Sequence, residues 1–442
     1  MIIKNVQNLI IFKKLCFIYF FITFVILSLN LKEYNYNFDL DIVEGSIKVG
    51  FWLPSIKNGG RERVISILLN YLSKEKYFTF YLITSSGILE GEYEIPAKIN
   101  RISLLNPKIN IISLIKKEKL DIFIYNSYNK KIINKLNNLK KTKIIYYDHS
   151  SFTYWLLLGL HFNNTVYQSY KNCKYVISLI PLENDYLFKK WGIKSILMDN
   201  PSTFEYNLIS PSPLSSKEII MIGRTNDPFK RFELGIKAMA NIKKEIPECK
   251  MNIIGDFYKA LEILIRQSKL ENHVKFTGFH KNIEKYLKSA SLHILTSIAE
   301  AYPMVLSETK IFGIPTILCG LDYLALAKSG TVIVYDDNPE TIAKEAIKLL
   351  KYNKYRKKLG KQARKSMKRI SNYLIAKKWV KLLLSIYNGN NNYYQKLLSE
   401  KNKNSILQKE AEQIMKNQLQ IWSKRLSNLK KININKVKSF FC

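Results

Sequence analysis

Short apolar runs alternate with stretches of helical period along most of this chain. Residues 46–54 read as a buried strand, closed by the polar loop 55–60. From Arg61 to Leu72 the apolar side chains Val64, Ile65, Ile67, Leu68, Leu69 and Leu72 show helical periodicity. Further strands are expected at 78–84, 121–125, 143–147 and 174–179, with helical patterns between most of them. A second series starts at 218–223 and continues at 250–255, 273–277, 292–295, 316–319 and 331–335. Strand alternating with helix predicts parallel, doubly wound sheets. The stretch 200–216 lacks periodicity and holds Pro201, Pro211 and Pro213, which marks a linker. The pattern therefore predicts an α/β protein of two Rossmann-like domains facing a cleft: 46–200, a linker at 201–217, and 218–370. Ahead lies a segment 1–45, and behind it helices and a basic tail over 371–442.

Residues 15–31 are apolar almost throughout, close to the shortest length that spans a bilayer. Lys4, Lys13 and Lys14 precede them, and Glu33, Asp39, Asp41 and Glu44 follow. The positive-inside rule predicts a single-pass anchor with a cytoplasmic N-terminus. The same run also fits an interfacial helix on a cytosolic, membrane-associated protein. The formal charge is +35, and residues 351–442 hold 24 Lys or Arg against 3 acids. Such a charge draws in phosphates, anionic bilayers or nucleic acid, yet no nucleic-acid recognition motif is legible, so no specific nucleic-acid partner is expected. The spacing of the five cysteines fits neither a zinc site nor a redox pair, and Cys319 reads as a core residue.

Chemistry concentrates where strands give way to helices. Glu300 lies in the loop after strand 292–295, and Glu308 about two turns later on a helix that Gly313 stops. In an open α/β sheet that crevice is where ligands bind. Two carboxylates there suit a ligand rich in hydroxyls. Arg224 ends the first strand of the second series, and Lys230 follows at a helix start, a setting that favours phosphate. Taken alone, the pair equally fits a solvated helix start. Gly59 and Gly60 allow close backbone approach to a ligand, or form a plain turn. His149 ends a strand, where it either supports structure or hydrogen-bonds a ligand.

Taken in order, Gly223-Arg224, Lys230, Ile254-Gly255-Asp256, Thr277-Gly278, Thr296-Ser297, Glu300 with Glu308 and Gly313-Ile314-Pro315 resemble the retaining nucleotide-sugar glycosyltransferases of family 4, which have the GT-B fold. The resemblance runs from about 47 to 387 and is weaker in the first half, through Pro54, Gly59, Gly60, Glu62, Arg63 and Asn200-Pro201. It implies transfer of a hexose-type sugar from a UDP- or GDP-sugar to a hydroxyl of a glycan or lipid. It implies that Arg224 and Lys230 neutralise the departing diphosphate, with Gly60 beside it. Glu308 would bind the ribose, Glu300 the transferred sugar, and His149 would lie near that sugar. No metal and no cofactor is implied, because fixed cations stabilise the leaving group. The acceptor proton would pass to the departing phosphate. Ala301-Tyr302 stands where the family often has Gly-Phe, and Arg61 where it has a small residue. The rival expectation is a catalytically inactive GT-B protein serving as a membrane-bound partner subunit.

Overall fold

The computed structural model describes residues 46–105, 110–127, 129–149, 170–320 and 325–400. The chain divides into two units, 1–46 and 47–442, and the second is considered below. The anchor expected at 15–31 and the tail beyond 400 lie outside the described residues. Among the described residues no helix is long and apolar enough to cross a membrane.

The first sheet has seven parallel strands: β1 (Ile47–Leu53), β2 (Phe78–Thr84), β3 (Asn100–Ser103), β4 (Ile122–Tyr125), β5 (Lys143–Tyr147), β6 (Tyr175–Ser178) and β7 (Ile196–Leu197). Their order is β3-β2-β1-β4-β5-β6-β7, with Val49 opposite Ile122 on one side of β1 and Phe80 on the other. The connections include α1 (Gly60–Leu72), α2 (Ile111–Glu118), α3 (Lys130–Asn137) and α4 (Pro181–Trp191). The second sheet has six parallel strands: β8 (Glu218–Ile222), β9 (Lys250–Ile254), β10 (Val274–Phe276), β11 (Leu292–Leu295), β12 (Thr316–Cys319) and β13 (Thr331–Val334). They are ordered β10-β9-β8-β11-β12-β13. Helices α5 (Phe232–Glu245), α6 (Lys259–Gln267), α7 (Glu284–Ser289), α8 (Met304–Ile311) and α9 (Pro339–Lys351) connect or follow these strands. The strand order reverses between β1 and β4 and between β8 and β11, so each sheet opens a crevice there at its carboxyl edge.

Both sheets are covered, which explains the apolar runs in most of their strands. Phe123, Ile115, Leu136 and Val176 belong to one core, and Ile219, Ile236, Ile253, Ile294 and Ile317 to another. Cys319 is fully buried in the second core, as its sequence setting predicts. The helix expected before Gly313 is α8. It ends at Phe312, and Gly313 follows with φ +69°, a left-handed conformation that lacks a steric penalty in glycine.

No helix or strand interrupts the crossing from 198 to 217. The chain then continues through α10 (Asn353–Ser366), α11 (Asn372–Tyr387) and α12 (Asn392–Glu400). Helix α11, which the sequence places beyond the second domain, packs against α1 of the first. Trp379 is completely buried there, its ring 6.3 Å from Phe51 and 5.1 Å from Tyr147.

Glu183, in the first turn of α4, is also completely buried, and neither carboxylate oxygen has a partner. Burial first, and the charge of Asp148 second, raise its pKa well above the usual 4.5. The sign follows from linkage. Above pH 4.5 the unfolded chain ionises this group while the fold keeps it neutral, so stability falls as pH rises, by at most about 1.4 kcal/mol per pH unit. Glu183→Gln removes that cost. Thermal unfolding should give the variant a higher Tm at pH 7 than the parent, with the gap narrowing toward pH 4.5. A gap independent of pH would show that Glu183 ionises normally.

Candidate active site

The second sheet builds its part of the site from two loops clasped together. Gly223, after β8, donates its N–H to Ile254 O at 3.1 Å, and Thr225 Oγ1 donates to Asp256 O at 2.5 Å. A Cβ on Gly255 would lie 2.2 Å from the Gly223 carbonyl oxygen, so only glycine permits this approach. The loop after β8 is tied in turn to the loop after β11. Thr296 Oγ1 donates to Lys230 O at 2.7 Å, and Ile298 N–H donates to Phe229 O at 2.9 Å.

This clasp brings Lys230 and Glu300 together. Lys230 Nζ lies 2.5 Å from Glu300 Oε1, with both side chains largely shielded. Arg224 is directed differently. Its side chain is half exposed, and Nη2 lies 2.8 Å from Asp227 Oδ2 within its own loop. Arg231 reinforces the base of the site. It adopts a left-handed backbone, donates Nε–H to Thr296 O at 2.8 Å and forks onto Asp337 at 2.7 and 3.1 Å.

Glu308 sits one turn into α8 and is fully buried. Its Oε1 accepts from Arg63 Nη1 at 2.8 Å and from Thr203 Oγ1, while Oε2 has no partner. Thus the acid is held by the first half and by the crossing, whereas Glu300 is held by Lys230. The first sheet contributes the start of α1. A Cβ on Gly60 would rest 3.8 Å from Met304 Cγ, an ordinary contact that places the first residues of α1 and α8 side by side. At Gly59 the space beside the backbone is taken by Glu62, whose Oε2 would lie 1.7 Å from an added Cβ. Arg61 pairs with Glu62 at 2.6 Å and donates to Asn126 O at 2.9 Å, binding α1 to the end of β4.

His149 packs against Tyr147 with the ring centroids 4.0 Å apart and the planes tilted by 52°. Its Nε2 is buried without a partner. Burial first, then the nearby Arg61 charge, hold its pKa well below 6.5, so the imidazole is neutral. A neutral imidazole can accept or donate one hydrogen bond, but it carries no fixed charge to a ligand.

Motif spacing alone gave no role to Arg63 or Thr203. Arg63 was within reach, because it is part of the Gly60-Arg61-Glu62-Arg63 stretch that carries the family resemblance. Thr203 had no signal, since it acts from a segment without periodicity.

Residues 205–366 match the model of the family described as glycosyl transferases group 1. The chain is 25% identical over 363 residues to the Campylobacter jejuni GalNAc-alpha-(1->4)-GalNAc-alpha-(1->3)-diNAcBac-PP-undecaprenol alpha-1,4-N-acetyl-D-galactosaminyltransferase. That match spans 78% of this chain and all of the relative. Residues 205–366 carry the pattern of the group 1 glycosyltransferases. The amylovoran biosynthesis glycosyltransferase AmsD of Erwinia amylovora is 25% identical over 350 residues, covering 74% of this chain and 96% of its own. Among solved structures, Anabaena HepE in complex with UDP and glucose superposes with a TM-score of 0.62 at 16% identity, covering 77% of this glycosyltransferase and all of that chain. At that identity the likeness shows the GT-B fold.

Substituting Gly255 tests the clasp. Gly255→Ala must push the Gly223 carbonyl away, at a cost of about 1–3 kcal/mol, the range for forcing atoms into a filled site. The expected outcome is a lower Tm together with loss of transfer, because the loop that moves carries Arg224 and Lys230. Unchanged Tm and turnover would show that the loops yield freely.

Proposed function

We propose that this glycosyltransferase moves a hexose-type sugar from a UDP- or GDP-sugar to a hydroxyl of a glycan or lipid-linked acceptor, retaining the anomeric configuration. One observation carries this reading. The Lys230–Glu300 pair lies at the carboxyl edge of the second sheet, and the first residues of α1 and α8 meet at Gly60 and Met304. Helix N-termini present unpaired N–H groups and partial positive charge, so two of them with a lysine favour a diphosphate.

In the proposed reaction the acceptor hydroxyl attacks the anomeric carbon on the face the diphosphate leaves. The bond from that carbon to the phosphate oxygen breaks, a bond to the acceptor oxygen forms, and the acceptor proton passes to the phosphate. Lys230 stabilises the charge that develops on the leaving oxygen, and Arg224 joins it by exchanging Asp227 for phosphate. Glu300 accepts from hydroxyls of the transferred sugar, Glu308 from the ribose, and Gly60 leaves room beside the diphosphate. His149 offers a neutral hydrogen-bonding group near the sugar. Fixed cations take the electrostatic role in this scheme, without a metal or cofactor.

The acceptor class follows the named relatives, one of which acts on an undecaprenol-linked glycan. The apolar run 15–31, with its flanking charges, is proposed as the tether that holds the enzyme at a bilayer, its N-terminus cytoplasmic. The inactive partner-subunit reading gains no support, because every charged group that the family's chemistry uses is retained.

Lys230→Ala decides the assignment. Losing one preorganised cation should lower kcat about 10²–10³-fold with the fold intact. The measurement is donor-dependent transfer, or donor hydrolysis, with UDP- and GDP-sugars. Turnover equal to the parent would sink the site assignment.

A further inference from the structure

Arg63 reaches Glu308 from the other side of the cleft. It lies one turn into α1, as Glu308 lies one turn into α8, and the two helices meet at their first residues. Arg63 is itself held: its guanidinium lies 5.3 Å from the centroid of the Tyr93 ring, and only 14% of its side chain is exposed. Burial opposes its charge, but Glu308 and Tyr93 outweigh burial and raise its pKa, so the cation is firmly kept. Thr203 donates to the same Oε1 from the crossing between the sheets. Two segments, α1 and the crossing, therefore converge on one oxygen of the carboxylate that α8 carries. The other oxygen, Oε2, is buried and bare. A carboxyl oxygen in that state lacks a donor, and a vicinal diol supplies one.

We propose that Arg63 is a positioning residue for the donor. It fixes the Glu308 carboxylate through Oε1, so that Oε2 faces a ribose hydroxyl of a nucleoside diphosphate. The ribose grip is then built from both halves of the molecule, the acid from the second and the arginine that orients it from the first. This rests on the reading of Glu308 as the ribose-binding acid.

The test is calorimetric titration of the full-length chain with UDP and with GDP, alongside donor and acceptor KM. Glu308→Gln should weaken the nucleotide that binds by about tenfold or more, the usual scale for a hydrogen bond to a charged group. Arg63→Ala should weaken it by a similar factor and raise donor KM without changing acceptor KM. Arg63→Lys, which keeps the charge, should recover most of the affinity. The double variant should be no worse than Glu308→Gln, because Arg63 acts through that acid. If Arg63→Ala does not fold, Arg63→Gln, which keeps most of the side-chain volume, carries the same measurement. Parental affinity in the arginine variants, with Glu308→Gln impaired, overturns the positioning role and leaves the ribose reading standing. Additive losses in the double variant also overturn it. Parental affinity in Glu308→Gln removes the ribose reading and the proposal with it.

Discussion

The double crossing between the two sheets is the constraint on which the site depends. The chain leaves the first sheet at 198–217 and returns to it through α11, and the two passages are pinned to each other. Ser202 N–H donates to Asn372 Oδ1, and Asn372 Nδ2 donates to Ser202 O, both at 2.8 Å and buried. A reciprocal amide pair of this kind satisfies both backbone groups of Ser202 and allows little rotation there. Trp379 then fixes α11 against Phe51 and Tyr147, and α11 packs on α1. Since α1 carries Gly60, Arg61 and Arg63, the position of the first half's ligand-facing helix is set by a helix that arrives from the second half. A site assembled from two bodies tolerates little error, because a misplacement of about 1 Å costs about a hundredfold in rate. The return helix supplies that accuracy.

The same economy governs the loops of the second sheet. None of them stands alone: the loop after β8 is bound to the one after β9 through Gly255 and Thr225, and to the one after β11 through Thr296 and Ile298. Arg231 ties the latter to Asp337 beyond β13. Polar side chains on loops gain precision when their supporting shell is fixed. Lys230 and Glu300 share this support, which is how a lysine before α5 and an acid before α8 come within 2.5 Å.

Much of this was legible in the chain. Strands β1, β2, β5, β8, β11 and β12 follow from largely apolar runs, because a parallel sheet covered on both faces needs apolar residues at most positions. Strands β3 and β7 did not stand out. Asn100-Arg101-Ile102-Ser103 sits at a sheet edge with no residue fully buried, and β7 is only two residues long. Edge strands carry little hydrophobic signal, since half their surroundings are solvent. The residues of the second half of the site were legible as an ordered series of motifs. Their partners were not, because a salt bridge between residues 63 and 308 is a tertiary fact with no local period. The orientation of Arg224 was hidden for a related reason: an exposed arginine three residues from an aspartate folds back onto it whenever nothing else claims its charge.

The pairing of charges reconciles a very basic chain with a site proposed to hold an anion reversibly. Arg61, Arg63, Arg224, Lys230 and Arg231 all stand at or beside the cleft, and each faces a carboxylate: Glu62, Glu308, Asp227, Glu300 and Asp337. Five unpaired cations so close together would repel one another and destabilise the fold. Paired, they are held in place without that cost, and the local charge is balanced. The excess that remains, +35 over the whole chain, acts at longer range, where it raises the encounter rate with any polyanion. Attraction and recognition are thus separated. The distributed charge brings a phosphorylated ligand to the molecule. In the proposed scheme selection comes at the Lys230–Glu300 pair, where phosphate satisfies the lysine and sugar hydroxyls satisfy the acid, while Glu308 keeps Arg63 and adds a ribose hydroxyl.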